Sequence, residues 1–162
     1  MSADLPGDLT VLIVEDGDEY LDTLGRFVTG PRWLQARSAR AALDVLARDR
    51  VDLLYLDMRF DRIARHDLAG DLAAAVARNG GDPERAWRHL ALHQGLYILD
   101  ALAHAGHGHR PALLAYDFAR EPRRFTFLQR GWPRLDWVPD GATAADIRAK
   151  MVGVLARSTP PP

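Results

Sequence analysis

Apolar residues recur along this chain with two alternating periods. Leu9 to Val14 is a short apolar run rich in β-branched side chains, which predicts a strand buried on both faces. Past Glu15-Asp16-Gly17 the period lengthens. Tyr20, Leu21, Leu24, Phe27 and Val28 fall on one face of a helix that Gly30-Pro31 stops. Trp33 to Ala36 predicts a weaker second strand. Ser38 is placed to cap a helix to about Arg48, with Ala42, Leu43, Val45 and Leu46 as its buried stripe. Val51 to Leu56 predicts a third strand, closed by Asp57.

The middle of the chain lacks strand character. Leu68 to Arg78 reads as a helix ending at Asn79-Gly80-Gly81. Asp82-Pro83 is an N-cap followed by proline at the first helical position, and the helix it starts is expected to run to Ala105, with Gly95 as a candidate kink. Pro111 to Tyr116 predicts a fourth strand, Arg123 to Arg130 a short helix, Leu135 to Val138 a fifth strand, and Ala144 to Ala156 a final amphipathic helix. Strands alternating with helices imply a parallel sheet covered on both faces. Right-handed crossovers then give an α/β fold with a doubly wound five-stranded parallel sheet in three α/β/α layers. No repeat or linker breaks the chain, so residues 1–157 are expected to form one domain, with 158–162 (STPPP) as a disordered tail.

Composition narrows the function classes. Hydrophobic residues make up 48% and charged residues 27%, a globular balance, and there is no cysteine, which removes disulfides and thiolate metal sites. No apolar run is long enough for a membrane span and MSADLPGD lacks the features of a secretory signal, so a soluble cytoplasmic protein is expected. A formal net charge of −1 gives no bulk electrostatic reason to bind nucleic acid. Lys150 is the single lysine; every other basic side chain of the Lys/Arg class is arginine.

The candidate chemistry lies at the carboxyl ends of the strands. Glu15 and Asp16 end the first strand and Asp57 ends the third, and in a doubly wound sheet these ends are neighbours. Carboxylates brought close together repel unless protonated or bridged by a cation, and an all-oxygen site with room for water suits Mg²⁺. Beside such a metal a carboxylate can attack a phosphoryl group. The same acidic residues would also arise as solvated strand ends with no further role.

VLIVEDGDEYLDTL followed by VDLLYLDM resembles the opening half of bacterial response-regulator receiver (CheY-like) domains, and Leu92 to Tyr116 with Gly131 to Leu155 is similar, more loosely, to their closing half. The resemblance implies a flavodoxin-like fold. It implies that Asp16 holds Mg²⁺ directly and Glu15 partly through water. Asp57 would be both metal ligand and phosphoacceptor, and the backbone carbonyl of Arg59 would complete the protein ligands. It also implies a protein partner, a histidine kinase or a downstream regulator, with no role for nucleic acid or membrane, and it admits a homodimer.

The sequence departs from that pattern at the positions that read phosphorylation. Receivers carry Ser or Thr at the end of strand four. Here there is neither between Ser38 and Thr126, and Tyr116 falls at the position. The Lys-Pro pair after strand five reads Val138-Pro139, with the cis bond common in the family as an open expectation, and the aromatic switch position falls at Leu135. Asp117 is expected at the rim of the pocket. A helical insertion over about residues 60–91 leaves beside Asp57. Arg123, Arg124, Phe125 and Arg130 concentrate near the fourth helix of the resemblance, part of the face on which receivers dock partners, although a solvated face with inward aromatics accounts for them equally. His89 and His93 share a helix face without an obvious third ligand, and His104, His107 and His109 fall in what reads as a flexible turn at the far end of the sheet.

Two readings follow. One is a pseudo-receiver, an interaction module that works without phosphorylation. The other is a receiver whose Asp57 still accepts phosphate with Mg²⁺. Turnover as an enzyme is not expected, because phosphatases with a nucleophilic Asp often place a second Asp two residues later as general acid, and here that residue is Arg59.

Overall fold

A computed structural model describes residues 4–157. Five strands form one parallel sheet in the order β2-β1-β3-β4-β5. These are β1 (Thr10–Val14), β2 (Arg32–Ala36), β3 (Leu53–Asp57), β4 (Ala112–Ala115) and β5 (Leu135–Val138). The helices are α1 (Glu19–Phe27), α2 (Ala39–Arg48), α3 (Leu72–Arg78), α4 (Pro83–Leu92), α5 (Gln94–Leu102), α6 (Pro122–Gly131) and α7 (Ala144–Ala156). The doubly wound α/β fold expected from the alternation is present.

Side-chain alternation along the strands divides the core in two. Leu12, Val14, Leu54, Leu56 and Leu114 pack with residues of α2 and α5 on one face. Val11, Ile13, Leu53, Tyr55 and Leu113 pack with residues of α1 and α7 on the other. Burial on both faces is why β1, β3 and β4 read as unbroken apolar runs. Local signals fix several helix starts. Ser38 accepts the Ala41 N–H, Asp82 accepts those of Glu84 and Arg85, and Thr143 with Asp146 forms a reciprocal capping box.

The helix expected from Asp82 to Ala105 is broken at His93. There the chain turns so that the Gly95 N–H donates to the Met58 carbonyl at 2.9 Å. Gly95 is packed so tightly against the Asp57 carbonyl, Met58 Cα and Leu114 that a Cβ has no room. The helix expected from Leu68 starts instead at Leu72, because Asp71 accepts the Ala74 N–H and the preceding residues bond elsewhere. The HAGHGH segment, expected as a flexible turn, contains a π-helical turn over Ala103–His107, with Gly106 at φ 93°. No cis peptide bond occurs among the described residues, so Val138-Pro139 is trans. The expected tail at 158–162 lies outside the described residues.

The long connection from β3 to α5 folds on itself. A 3-10 turn over Arg65–Asp67 leads to α3 and α4, which enclose a small apolar cluster of Ala75, Ala86 and Leu90. The Phe60 N–H donates to the Ala91 carbonyl at 2.8 Å, so the two ends of the segment meet. Gln94 is fully buried and clamps the segment from α5. Its Oε1 accepts the Ala69 N–H at 2.6 Å, and its amide donates to the carbonyls of Ala69 and Leu90 at 3.1 Å. Such a fully satisfied buried amide specifies one arrangement. Arg65 and Glu84 close the hairpin through a two-pronged ion pair at 2.9 and 2.5 Å.

Candidate functional site

Register brings the acidic residues together. Val14 pairs with Leu56 and Asp57 with Ala115, so β1, β3 and β4 end side by side. Beyond those ends lies a cavity of about 330 Å³, lined among others by Glu15, Asp16, Tyr20, Asp57, Arg59 and Arg62.

Glu15 is buried, and both its oxygens are engaged. Oε2 accepts the Tyr20 N–H at 3.1 Å, and Oε1 accepts the Leu21 N–H at 3.0 Å and the Gln35 amide at 3.3 Å. It therefore serves the amino end of α1, where free N–H groups favour an anion. Burial still pushes its carboxyl above the usual range, against the pull of those amides. The turn that follows is pinned from β2. Gln35 donates to the Gly17 carbonyl at 2.7 Å, and Arg37 donates to the Asp16 carbonyl at 3.0 Å and pairs with Asp18 at 2.6 Å.

Asp57 is half-buried, with Oδ1 accepting the Met58 N–H at 2.8 Å. Burial, reinforced by the charges of Asp16 and Glu15, pushes its carboxyl up to about 7, although the Met58 and Arg59 amides oppose the rise. Asp16 Oδ2 accepts the backbone N–H of Arg62 at 2.5 Å, and the Arg62 guanidinium pairs with Glu19. Tyr20, beside the cavity, has its phenol pushed up to about 12, mainly by burial and then by the charge of Asp57.

No family model and no curated protein sequence matches the chain. Solved structures do. The receiver domain of the Francisella response regulator 1452 superposes with a TM-score of 0.60 at 11% identity, over 91% of this chain and 97% of that one. The chemotaxis response regulator CheY4 of Vibrio cholerae gives 0.60 at 13% identity, over 91% and 98%. A CheY-like receiver domain protein from Methanospirillum hungatei gives 0.58 at 13%, over 91% and 94%. The fold is that of a response-regulator receiver.

Receivers typically hold Mg²⁺. The donor chemistry is suitable, all oxygen. The arrangement is not. Glu15 spends both oxygens on α1 and Gln35, Asp16 spends one on Arg62, and no group of three or more His, Cys, Asp or Glu among the described residues is placed to hold a metal ion. Glu15, Asp16, Asp57 and Arg59 thus share one cavity without forming a ready metal site.

The positions that read phosphorylation in receivers are filled as follows. Tyr116, just past β4, donates its hydroxyl to Glu121 at 2.6 Å, with Arg124 on the same carboxylate at 2.8 Å and over the Tyr116 ring at 6.0 Å. Tyr116 is absent from the cavity lining. Val138 is buried in the core, and Leu135 is buried at the first residue of β5. Lys150, on α7, bonds to Asp136 at 3.3 Å and lies over the Trp137 ring at 5.5 Å, also outside the lining.

Asp117, expected at the rim, instead accepts the Ala119 N–H, and the rim carboxylate from the β4–β5 end of the sheet is Asp140. Its place directly after Val138-Pro139 was a usable signal. Arg62, Glu19, Asp61 and Tyr20 also line the cavity without having been singled out. Of the interface candidates, Phe125 turns inward onto Phe118 at 5.4 Å and Arg124 is committed to Glu121. Arg123 and Arg130 are exposed, and Arg130 lies over Phe127, which is 66% exposed. The His89 and His93 rings stack at 4.4 Å, and the His93 ring bonds to the His89 carbonyl at 2.9 Å.

Proposed function

We propose that this chain is a cytoplasmic signalling module of the receiver type that regulates a protein partner without the usual phosphorylation switch. The observation that carries this reading is at the ends of β4 and β5. The Tyr116 hydroxyl is committed to Glu121 on the α6 side and Val138 is a core residue, so neither strand end offers a hydroxyl or a cation to a phosphoryl group on Asp57. In receivers those two groups convert acyl phosphate formation into a shift of helix position. An uncompensated phosphoryl dianion beside Glu15, Asp16 and Asp140 would meet repulsion instead. Arg59 in place of a second aspartate supports binding rather than turnover.

The partner surface we favour is α6. It contains Arg123, Arg124 and Arg130 and no acidic residue, and its Phe127 is exposed. Aromatic residues with arginine are the usual composition of protein interfaces.

A second reading has one observation in its favour. Asp57 still lines the cavity with only its Oδ1 hydrogen-bonded, so a phosphodonor such as a histidine kinase would find an acceptor there, and Mg²⁺ would first have to displace the Arg62 N–H from Asp16. Intact mass after incubation with Mg²⁺ and acetyl phosphate separates the two. The expected result is no adduct on the wild type. A single added phosphate that is absent from Asp57→Asn would overturn the first reading in favour of the second.

A further inference from the structure

The acidic cavity already contains a cation of its own, and it comes from the long connection between β3 and α5. Arg62 reaches the cavity on the side of α1. Its backbone N–H is bonded to Asp16 Oδ2 at 2.5 Å, and its guanidinium pairs with Glu19 in the first turn of α1. The Arg62–Glu19 pair lies across Gly17, close enough that a Cβ at that position would push both side chains aside. Nε of Arg62 is 3.8 Å from Asp61. One residue therefore meets three of the carboxylates around the cavity, Asp16 through its backbone N–H and Glu19 and Asp61 through its guanidinium.

Those carboxylates require positive charge. Glu15, Asp16, Glu19, Asp57, Asp61 and Asp140 surround the cavity, against Arg59 and Arg62. Like charges gathered at low dielectric are tolerated only with a bridging cation or a proton. Arg59 makes no ion pair among the described residues, which leaves Arg62 as the cation held in place. Its backbone N–H also occupies one oxygen of Asp16, a carboxylate that a metal in this cavity would use.

We infer that Arg62 is the resident cation of the pocket and acts as a latch against divalent metal: Mg²⁺ and the segment carrying Arg62 compete for Asp16. This deepens the proposed function and rests on it, since it gives a reason for the acidic cavity to persist in a module that does not use phosphate. Occupancy of the pocket then depends on whether the segment after β3 is docked or released. A metal that binds only the released form draws the equilibrium toward it by mass action.

Magnesium titration by calorimetry, with Mn²⁺ water-proton relaxation as a second readout, tests the latch on the full chain. Arg62→Ala removes the guanidinium and the anchor on Glu19 while leaving an exposed position filled. Arg62→Lys keeps the charge without the planar fork. Arg65→Ala loosens the same segment away from the cavity, at its bond to Glu84. The expected result is Mg²⁺ affinity about five- to tenfold tighter in Arg62→Ala than in wild type, the effect of one nearby exposed charge and its tether. A smaller gain is expected in Arg62→Lys and in Arg65→Ala, and loss of the gain when Asp16→Asn is added. Equal affinity in Arg62→Ala and wild type overturns the inference, as does a gain that survives Asp16→Asn. A phosphate adduct on the wild type would sink the proposed function while leaving this comparison to be read separately.

Discussion

Replacing Asp57 by asparagine removes a carboxyl group that burial, with Asp16 and Glu15 beside it, has moved from an ordinary 3.8 to about 7. In the unfolded chain Asp57 ionises near its ordinary value, whereas in the folded chain it resists ionisation until about 7. Between those values the folded state binds more protons than the unfolded one. Stability of the wild type therefore falls as pH rises through the window and levels off above it. At about 1.4 kcal/mol per pH unit the whole displacement is worth at most about 4 kcal/mol. Asp57 is only half-buried and the cavity is open to solvent, so screening reduces this to about 2 kcal/mol. Asparagine is isosteric, and its Oδ1 can still accept the Met58 N–H. The Asn variant should be about 2 kcal/mol more stable than wild type at about pH 8, melt about 6 °C higher, and show almost no advantage near pH 4. Glu15 shifts in the same direction but is present in both proteins, so it cancels in the difference. Urea unfolding followed by tryptophan fluorescence, in EDTA, measures both points. An Asn variant no more stable than wild type at about pH 8, or one with the same advantage at about pH 4, would refute the assignment of that cost to Asp57.

Gln94→Ala removes three hydrogen bonds and leaves the Ala69 N–H and two carbonyls without their partner, so it should cost about 2–3 kcal/mol and loosen the backbone around the already exposed Arg62 and Arg65 for trypsin; unchanged stability and an unchanged cleavage rate would show that the clamp is dispensable. Gly95→Ala forces a methyl group against the Asp57 carbonyl, Met58 and Leu114 and should destabilise by about 2–3 kcal/mol in the same urea assay, whereas a neutral substitution would mean that the β3–α5 junction yields easily.

Much of the fold is legible because burial writes itself into short apolar runs. Leu12 to Val14 and Leu53 to Leu56 are covered on both faces, so their sequence could hardly have been read as anything but strands. Ser38, Asp82 and Thr143 mark helix starts through bonds made within a few residues, which local sequence can report. Gly95 signalled a kink, but not a full break at His93, because apolar residues continue through it in Leu90, Leu96 and Leu99 and the turn is imposed by a carbonyl far back in the chain, that of Met58. The acidic residues of the pocket could be named from strand order alone. Which of their oxygens remain free could not, since that depends on α1 rising directly above Glu15 and on Arg62 arriving from a loop whose path is set by the α3–α4 hairpin. Among its arginines Phe125 stood equally for an interface residue or an inward-turned ring, and its packing on the buried ring of Phe118 favours the latter. Asp117 was the only rim carboxylate expected from the sequence. Asp117 spends its carboxylate on the Ala119 N–H, and the turn after β5 brings Asp140 in its place.

The meeting of Phe60 and Ala91 has a consequence at the level of the gene. A segment whose ends are joined by a single hydrogen bond, and which carries an apolar centre of its own, can be excised or grafted as a cassette with only a short bridge across the gap. The strands on either side keep their register, because none of their ladder bonds passes through the cassette. Arg62 travels with it. Gain or loss of one contiguous stretch of coding sequence therefore adds or removes the N–H on Asp16 and the guanidinium on Glu19 in a single event, and the electrostatics of the pocket become an inheritable accessory rather than a property of the sheet.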